Sequence, residues 1–269
     1  VDGAPAGIDT SRAHPARVYD YLLGGKDNFA ADRAAADAMT MQLPSLPTMI
    51  RANRQFLYRA VRHLVVDFGI RQFLDVGSGI PTACNVHQVA QEVDPGARVV
   101  YVDNDPVVAT HSRALLSGAH PGSTAFILAD AADPAAILAD PAIAATLDLT
   151  EPVALMLVSV LMYFDDATTR AMLDTLLAAL PPGSLLTVSH PTADFDPQTV
   201  GRAVAAAEQG GLTYVPRSAA EIAALCAGLE LVDPGIAPLL AWRPDPARGR
   251  ARGRDDRSVY YWVAMARKP

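Results

Sequence analysis

Phe73 to Thr82 reads FLDVGSGIPT, an apolar strand that carries the acid Asp75 near its end and runs straight into the turn Gly77-Ser78-Gly79, with Pro81 beyond. Glycine at both turn positions lets the backbone bend sharply and approach a ligand with no Cβ in the way, and Pro81 suits the first turn of a helix. Strand, bare turn and helix start coincide, as they do in a nucleoside-cofactor loop. A plain strand-to-helix connection that uses glycine only for its geometry gives the same short string, so the neighbouring segments must decide between the two.

Downstream of the turn, strands and helices alternate. Strand-like runs cover Phe73 to Val76, Arg98 to Val102, Thr124 to Leu128, Pro152 to Val160 and Ser184 to Ser189, each apolar enough to be buried on both faces. Helical segments are predicted to begin near Pro81, Asp105, Asp133 and Asp165. Strands joined by helical crossovers imply a parallel, doubly wound, Rossmann-like α/β sheet. Ser218 and Glu221 form a capping-box pattern for one more helix before a strand at Leu229 to Val232, and the chain finishes on a strand at Ser258 to Ala266. No helix separates those last two strands, so the final one is predicted to pair antiparallel across a long, proline-rich connection.

Upstream, residues 1–70 read as helical. Pro15 opens a short helix that Gly24-Gly25 ends, Asn28 is placed to cap a second helix reaching Met41, and Ser45 with Pro47 opens a third that Gly69 closes. The chain thus divides into an N-terminal helical lid or cap, 1–70, and an α/β domain, 71–269.

In an open parallel sheet, ligands sit beyond the carboxyl ends of the strands, where the strand order reverses. Three successive strand ends carry acids here: Asp75, Asp103 and Asp130. Asp103 lies 24 residues beyond Gly79, near the spacing at which a carboxylate accepts both ribose hydroxyls of a nucleoside. Asp130 is placed to accept from an adenine amino group. Each acid alone reads equally as a helix N-cap; the set points to a ligand. Thr82 stands where a dinucleotide loop needs its third glycine, and Asp75 would repel a pyrophosphate. A donor with an ammonium group and no phosphate fits better, which favours S-adenosyl-L-methionine over the nicotinamide cofactor of a dehydrogenase.

The 269 residues are 51% hydrophobic and 19% charged with a formal net charge of -7, a globular composition that gives no general surface for nucleic acid. The two cysteines, Cys84 and Cys226, form no CxxC pattern, so neither a disulfide framework nor a metal site is expected and a reducing cytoplasm fits. Val153 to Phe164, the longest apolar run, falls short of the ~20 residues of a membrane span, and the N-terminus has no signal-like pattern, so no membrane partner is expected. Oligomeric state is left open.

Several strings, IDTSRAHPARVYDYLLGGKDNFAADR at Ile8 to Arg33, RANRQFL at Arg51 to Leu57, FLDVGSGIPT, VVYVDNDPVV at Val99 to Val108, SHPT at Ser189 to Thr192 and the closing WVAMARKP, span nearly the whole chain. On them the chain resembles the class I S-adenosylmethionine-dependent methyltransferases, and more closely an actinobacterial family long held as a domain of unknown function. The resemblance implies a seven-stranded sheet with an antiparallel last strand. It implies that Asp75, Gly77, Ser78 and Gly79 line the methionine end of the cofactor, Asp103 and Asn104 its ribose, Asp130 and Ala131 its adenine, and Ser159 to Leu161 its border on the fourth strand. Tyr21, Gly24, Gly25, Lys26 and Asn28, with Asn53 and Arg54, look like a lid over the cofactor; the alternative makes Gly24-Gly25 a helix stop and Lys26 a solvated charge.

Methyl transfer from a sulfonium needs no acid, because the leaving group departs neutral. A base is needed only if the acceptor must lose a proton, and the candidates are His190, Tyr163 and Asp194. SVLMYF follows the fourth strand where a base-amine methyltransferase carries an NPPY-like tetrad, and neither cysteine sits in a Pro-Cys context, so a small-molecule acceptor is expected. The absence of an evident base keeps a second reading open, a non-catalytic sensor that binds the donor alone. Arg248, Arg250, Arg252, Arg254 and Arg257 read as a solvated loop or an anion-binding cluster.

Overall fold

The computed structural model describes residues 8–82, 84–116, 122–244 and 255–269. Strand β1 (Gln72–Val76) is buried along its whole length, and its neighbours β2 (Arg98–Asp103), β3 (Thr124–Leu128), β4 (Ala154–Val158) and β5 (Leu185–Pro191) run parallel in the order β3-β2-β1-β4-β5. The two-residue strands β6 (Glu230–Leu231) and β7 (Ala237–Pro238) precede the closing strand β8 (Tyr261–Arg267), which pairs antiparallel with β5, β6 and β7. Among the described residues eight strands therefore stand where seven are expected. The extra one arises because the proline-rich connection folds back on β8, with Ala237 and Pro238 opposite Val263 and Trp262 and the Leu239 N–H bonded to the Tyr261 carbonyl (3.1 Å).

Side chains alternate cleanly across the sheet. Phe73, Val99, Tyr101, Ala154 and Met156 pack into a core with the N-terminal helices α1 (Pro15–Leu23), α2 (Ala30–Gln42) and α3 (Leu46–Phe68). Leu74, Val76, Val100, Val102, Leu155 and Leu157 pack into a second core on the other face. This period of two puts Asp75 on the face of Phe73, under α3.

Four local readings change. The helix after the glycine turn, α4 (Val86–Val93), starts later than Pro81 predicts, because Asn85 and Gln88 form its capping box and the Asn85 carboxamide also accepts from Thr82 N–H (3.1 Å). Asn28 does not cap α2. Phe29 takes that position, with Asp32 accepting its N–H (2.8 Å). Strand β4 ends at Val158, since Ser159 turns to a positive φ of 56°. The segment after Asp133 is two short helices, α6 (Pro134–Ala139) and α7 (Pro141–Thr146), divided at Asp140-Pro141, while α5 (Pro106–Leu116) follows Asp105 as expected. Helix α8 (Asp166–Ala179) precedes β5, and α10 (Ala219–Leu225) carries the foreseen capping box of Ser218 and Glu221. Residues 190–217, left unassigned by the sequence, include α9 (Pro197–Gln209), which packs on α2. Among the described residues no helix is long and apolar enough to cross a membrane. Arg248, Arg250, Arg252 and Arg254 lie outside the described residues; Arg257 stacks 5.7 Å over the Phe195 ring.

Candidate cofactor and acceptor site

The strand order reverses between β1 and β4, and a cavity of about 360 Å³ opens there. Its floor is the glycine turn. Gly77 has φ 75°, and a Cβ on it would lie 2.3 Å from Val160 Cγ2, so conformation and space both demand glycine. Gly79, at φ 68°, donates its N–H to Asp103 Oδ2 (2.8 Å), which ties the turn to the end of β2. Asp103 Oδ1 accepts from Asp105 N–H (3.0 Å). Burial is the main force raising the Asp103 pKa, against the lowering effect of those two hydrogen bonds.

Asp75 lines the same cavity. Burial pushes its carboxyl up to about 7; attraction to Arg54 opposes this and repulsion by Asp103 adds to it. Arg54 and Asn53 reach the cavity from α3. Asn53 donates from Nδ2 to Ser159 Oγ (2.8 Å) and Tyr19 Oη (3.0 Å), and its Oδ1 accepts from Ser189 (2.7 Å). The positive φ of Ser159 aims its hydroxyl into this network, where it also donates to Tyr261 Oη (3.2 Å).

Of the residues expected at the site, Asp75, Gly77, Ser78, Gly79, Asp103, Asn104, Asp130, Ala131, Ser159, Asn53, Arg54 and Tyr163 line the cavity. Tyr21, Gly24, Gly25, Lys26, Asn28 and Leu161 do not. The Gly24-Gly25 segment is a helix stop locked onto Asp20: Gly25 leaves no space for a Cβ beside the Asp20 carboxylate, which accepts from Asn28 Nδ2 (2.9 Å) and Asp27 N–H (2.9 Å). Lys26 is exposed, and the Tyr21 hydroxyl donates to Asp37 (3.1 Å). Leu161 is fully buried, and its carbonyl accepts from Arg217.

Besides α3, the N-terminal layer lines the cavity with the start of α1: His14, Pro15, Ala16 and Tyr19. His14 caps the helix through Nδ1 (3.3 Å from Ala16 N), and its Nε2 stands 3.2 Å from Asn104 Oδ1. One turn on, buried Arg17 donates from Nε to buried Asp105 (2.8 Å). These residues fall inside the Ile8–Arg33 string, but nothing in their types or spacing marked them above Gly24-Gly25.

The base candidates also resolve. His190 is buried outside the cavity wall, its Nδ1 on the Pro191 carbonyl (2.9 Å) and its Nε2 on Arg217 Nη1 (2.9 Å). Burial drives its pKa down to about 3, so the ring is neutral and its free lone pair is taken by Arg217. It is a structural strand-end residue and cannot serve as a base here. Asp194 is likewise engaged, accepting from Trp262 Nε1 (2.7 Å) and Ala219 N–H (2.9 Å). Tyr163 lines the cavity, with its pKa raised first by burial and then by Tyr261, Tyr19 and Asp103.

A family model described as S-adenosyl methyltransferase matches residues 2–269. The chain belongs to the S-adenosyl methyltransferase family. Two solved structures are similar over essentially their whole length. A DUF574 family protein from Streptomyces avermitilis is 47% identical with a TM-score of 0.92, covering 97% of this chain and 100% of that one. A protein from Thermobifida fusca, provisionally named a methyltransferase, is 39% identical with a TM-score of 0.90, covering 100% and 99%. An O-methyltransferase family protein from Burkholderia thailandensis, 16% identical over 93% of this chain and 63% of that one, shares the fold at a TM-score of 0.50. No curated protein sequence matches the chain. This methyltransferase is therefore an S-adenosyl-L-methionine-dependent enzyme on a class I α/β fold.

Proposed function

We propose that this methyltransferase transfers the methyl group of S-adenosyl-L-methionine to a small-molecule acceptor inside the cavity at the β1/β4 reversal. One observation carries the reading: three strand-end acids, two positive-φ glycines and Arg54 all line a single cavity. Asp75 and Arg54 have the charges to receive the ammonium and carboxylate of the methionine moiety. Asp103 and Asn104 suit the ribose, and Asp130 with Ala131 the adenine. The start of α1 roofs the donor, with Tyr19 at its inner end. The organisms of the two similar proteins and the unpaired cysteines support a cytoplasmic actinobacterial enzyme.

The chemistry asks little of the protein beyond placement. When bound, the donor supplies an electrophilic methyl on a sulfonium that leaves as a neutral thioether. Holding donor and acceptor in line can lower the barrier by up to about 7–11 kcal/mol in favourable systems. The rigid glycine floor and the network joining Asn53, Ser159 and Tyr19 serve that purpose.

Titration calorimetry tests the reading. Wild-type protein is expected to bind S-adenosyl-L-methionine and S-adenosylhomocysteine, and Asp103→Ala to weaken both by roughly 10- to 100-fold, the worth of a charge-assisted hydrogen bond. Absence of binding to the wild type, or equal binding by the variant, would refute it.

A further inference from the structure

We propose that the methylated atom is an uncharged nitrogen, so that the acceptor is an amine or aza-aromatic base and the immediate product a cation. The inference rests on the donor reading above and concerns the rest of the cavity wall. Beside the groups assigned to the donor and a few small aliphatic side chains, the described residues that complete the wall are Tyr19, Asn53, Leu57, Ser159, Tyr163 and Phe164. None of these carries a charge, and their polar atoms are spent largely on one another. Both Asn53 Nδ2 hydrogens and its Oδ1 are engaged, Ser159 both accepts and donates, and the Tyr19 hydroxyl accepts from Asn53 while donating toward the Ile50 carbonyl (3.4 Å).

No group on this wall is therefore placed to take a proton from an alcohol. The two groups that could have done so from beyond it, His190 and Asp194, are committed to Arg217 and to Trp262 with Ala219. His14, also on the cavity, faces Asn104 and Asp105 at the ribose side. An acceptor must arrive with its lone pair already free. That leaves an anion or a neutral base, and the wall itself discriminates between them. Tyr163 is a phenol in this environment, and burial, its tyrosine neighbours and Asp103 all oppose its ionisation. An anionic acceptor would find no cationic side chain on this wall to pair with.

A neutral nitrogen needs no such partner. Its lone pair forms the N–CH3 bond while the C–S bond breaks toward sulfur; the positive charge moves from sulfur to nitrogen, and any N–H proton leaves later to water. Total charge in the chamber does not change during the step. The rings of Tyr19, Tyr163 and Phe164 border the place where the cation forms, and aromatic faces attract such cations.

Choline, its neutral isostere 3,3-dimethylbutan-1-ol and the anion 3,3-dimethylbutanoate test this directly. Each is titrated into the protein saturated with S-adenosylhomocysteine. Choline is expected to bind about tenfold more tightly than the isostere, with no binding of the carboxylate. Tyr163→Phe should keep the preference and Tyr163→Leu should reduce it, with S-adenosylhomocysteine binding by each variant reporting an intact fold. Equal binding of choline and isostere, tighter binding of the anion, or no choline binding to the loaded protein would each overturn the proposal. Failure of S-adenosylhomocysteine to bind the wild type would instead remove the donor reading on which it stands.

Discussion

Asp75 is a carboxylate that folding makes reluctant to ionise, and the reluctance has a definite sign. Its pKa rises from 3.8 to about 7, chiefly through burial. Between those values the folded chain holds a proton that the unfolded chain has released, so stability falls as pH rises through the window and the loss is complete above about 7. The full shift corresponds to roughly 4 kcal/mol, and water entering the open cavity brings the expected loss to about 1–3 kcal/mol. Urea melts of donor-free protein and of Asp75→Asn, each at about pH 5 and pH 8, isolate this component as the difference between the two pH slopes: Asp103 is raised in the same direction and adds to the decline, whereas His190 and His87, held neutral by burial, oppose it up to the ordinary histidine pKa of about 6.5. A slope unchanged by Asp75→Asn would show that the carboxyl is solvated. On the proposed pairing of Asp75 with the donor's ammonium, the ionised form is required, so donor affinity should climb with pH up to about 7 and then level off. At this scale the sequence was legible. A strand that alternates faces and ends at a glycine turn leaves few places for its acid, and Asp75, Asp103 and Asp130 all line the cavity where they were expected. Residues whose use depends on distant partners were not legible. His190 reads the same in sequence whether it faces a substrate or Arg217, 27 positions away.

Helix α1 meets the cavity at its start, about two turns before the stretch from Tyr21 to Asn28 on which the resemblance placed a lid. Gly24-Gly25-Lys26 belongs to a lid by family resemblance alone; in the fold its geometry serves Asp20 and the exit from the helix. The opposite end does the roofing, held down by an ion pair between Arg17 and Asp105, two side chains 88 residues apart that both lie buried. No local pattern announces such a pair, because its partner is set only once β2 and α1 meet. Removing Arg17 takes away the arginine partner of buried Asp105, which keeps the Val107 N–H (2.9 Å) and His14 (3.2 Å) nearby; breaking a buried pair typically costs about 3–5 kcal/mol. Arg17→Met is therefore expected to lower stability by that order, measured by denaturant unfolding. It should also free the start of α1, so that added S-adenosylhomocysteine protects amides of residues 14–19 from hydrogen exchange less than it does in the wild type. If Arg17→Met unfolds like wild type and keeps that protection, the ion pair does not hold the roof.

For the whole molecule, the question is whether the N-terminal 70 residues are an attachment or part of the structure's foundation. The buried cluster answers through its membership. Phe56, Ala60, Val61 and Leu64 of α3 lie in one continuous core with Phe73, Val99, Met156 and Met265 of the sheet, and Ala35 and Ala36 of α2 join it near Ala203 and Ala207 of α9. Parallel sheets need both faces covered, and α1 to α3 supply much of the cover on one of them. Cavity lining and core packing are therefore carried by the same helices: α3 presents Phe56 and Leu64 to the sheet while presenting Asn53, Arg54 and Leu57 to the cavity. A fragment of residues 71–269 would expose that apolar face together with a cavity stripped of Tyr19, Asn53 and Arg54. It is expected to aggregate or to persist as a compact state that binds hydrophobic dye and has lost near-ultraviolet dichroism, without affinity for S-adenosylhomocysteine. Adding residues 1–70 as a separate peptide should restore some affinity if the missing face is the cause. A fragment that stays monomeric, melts cooperatively and binds the donor product unaided would show instead that the helical layer is a true accessory, and that the donor pocket is complete within the sheet.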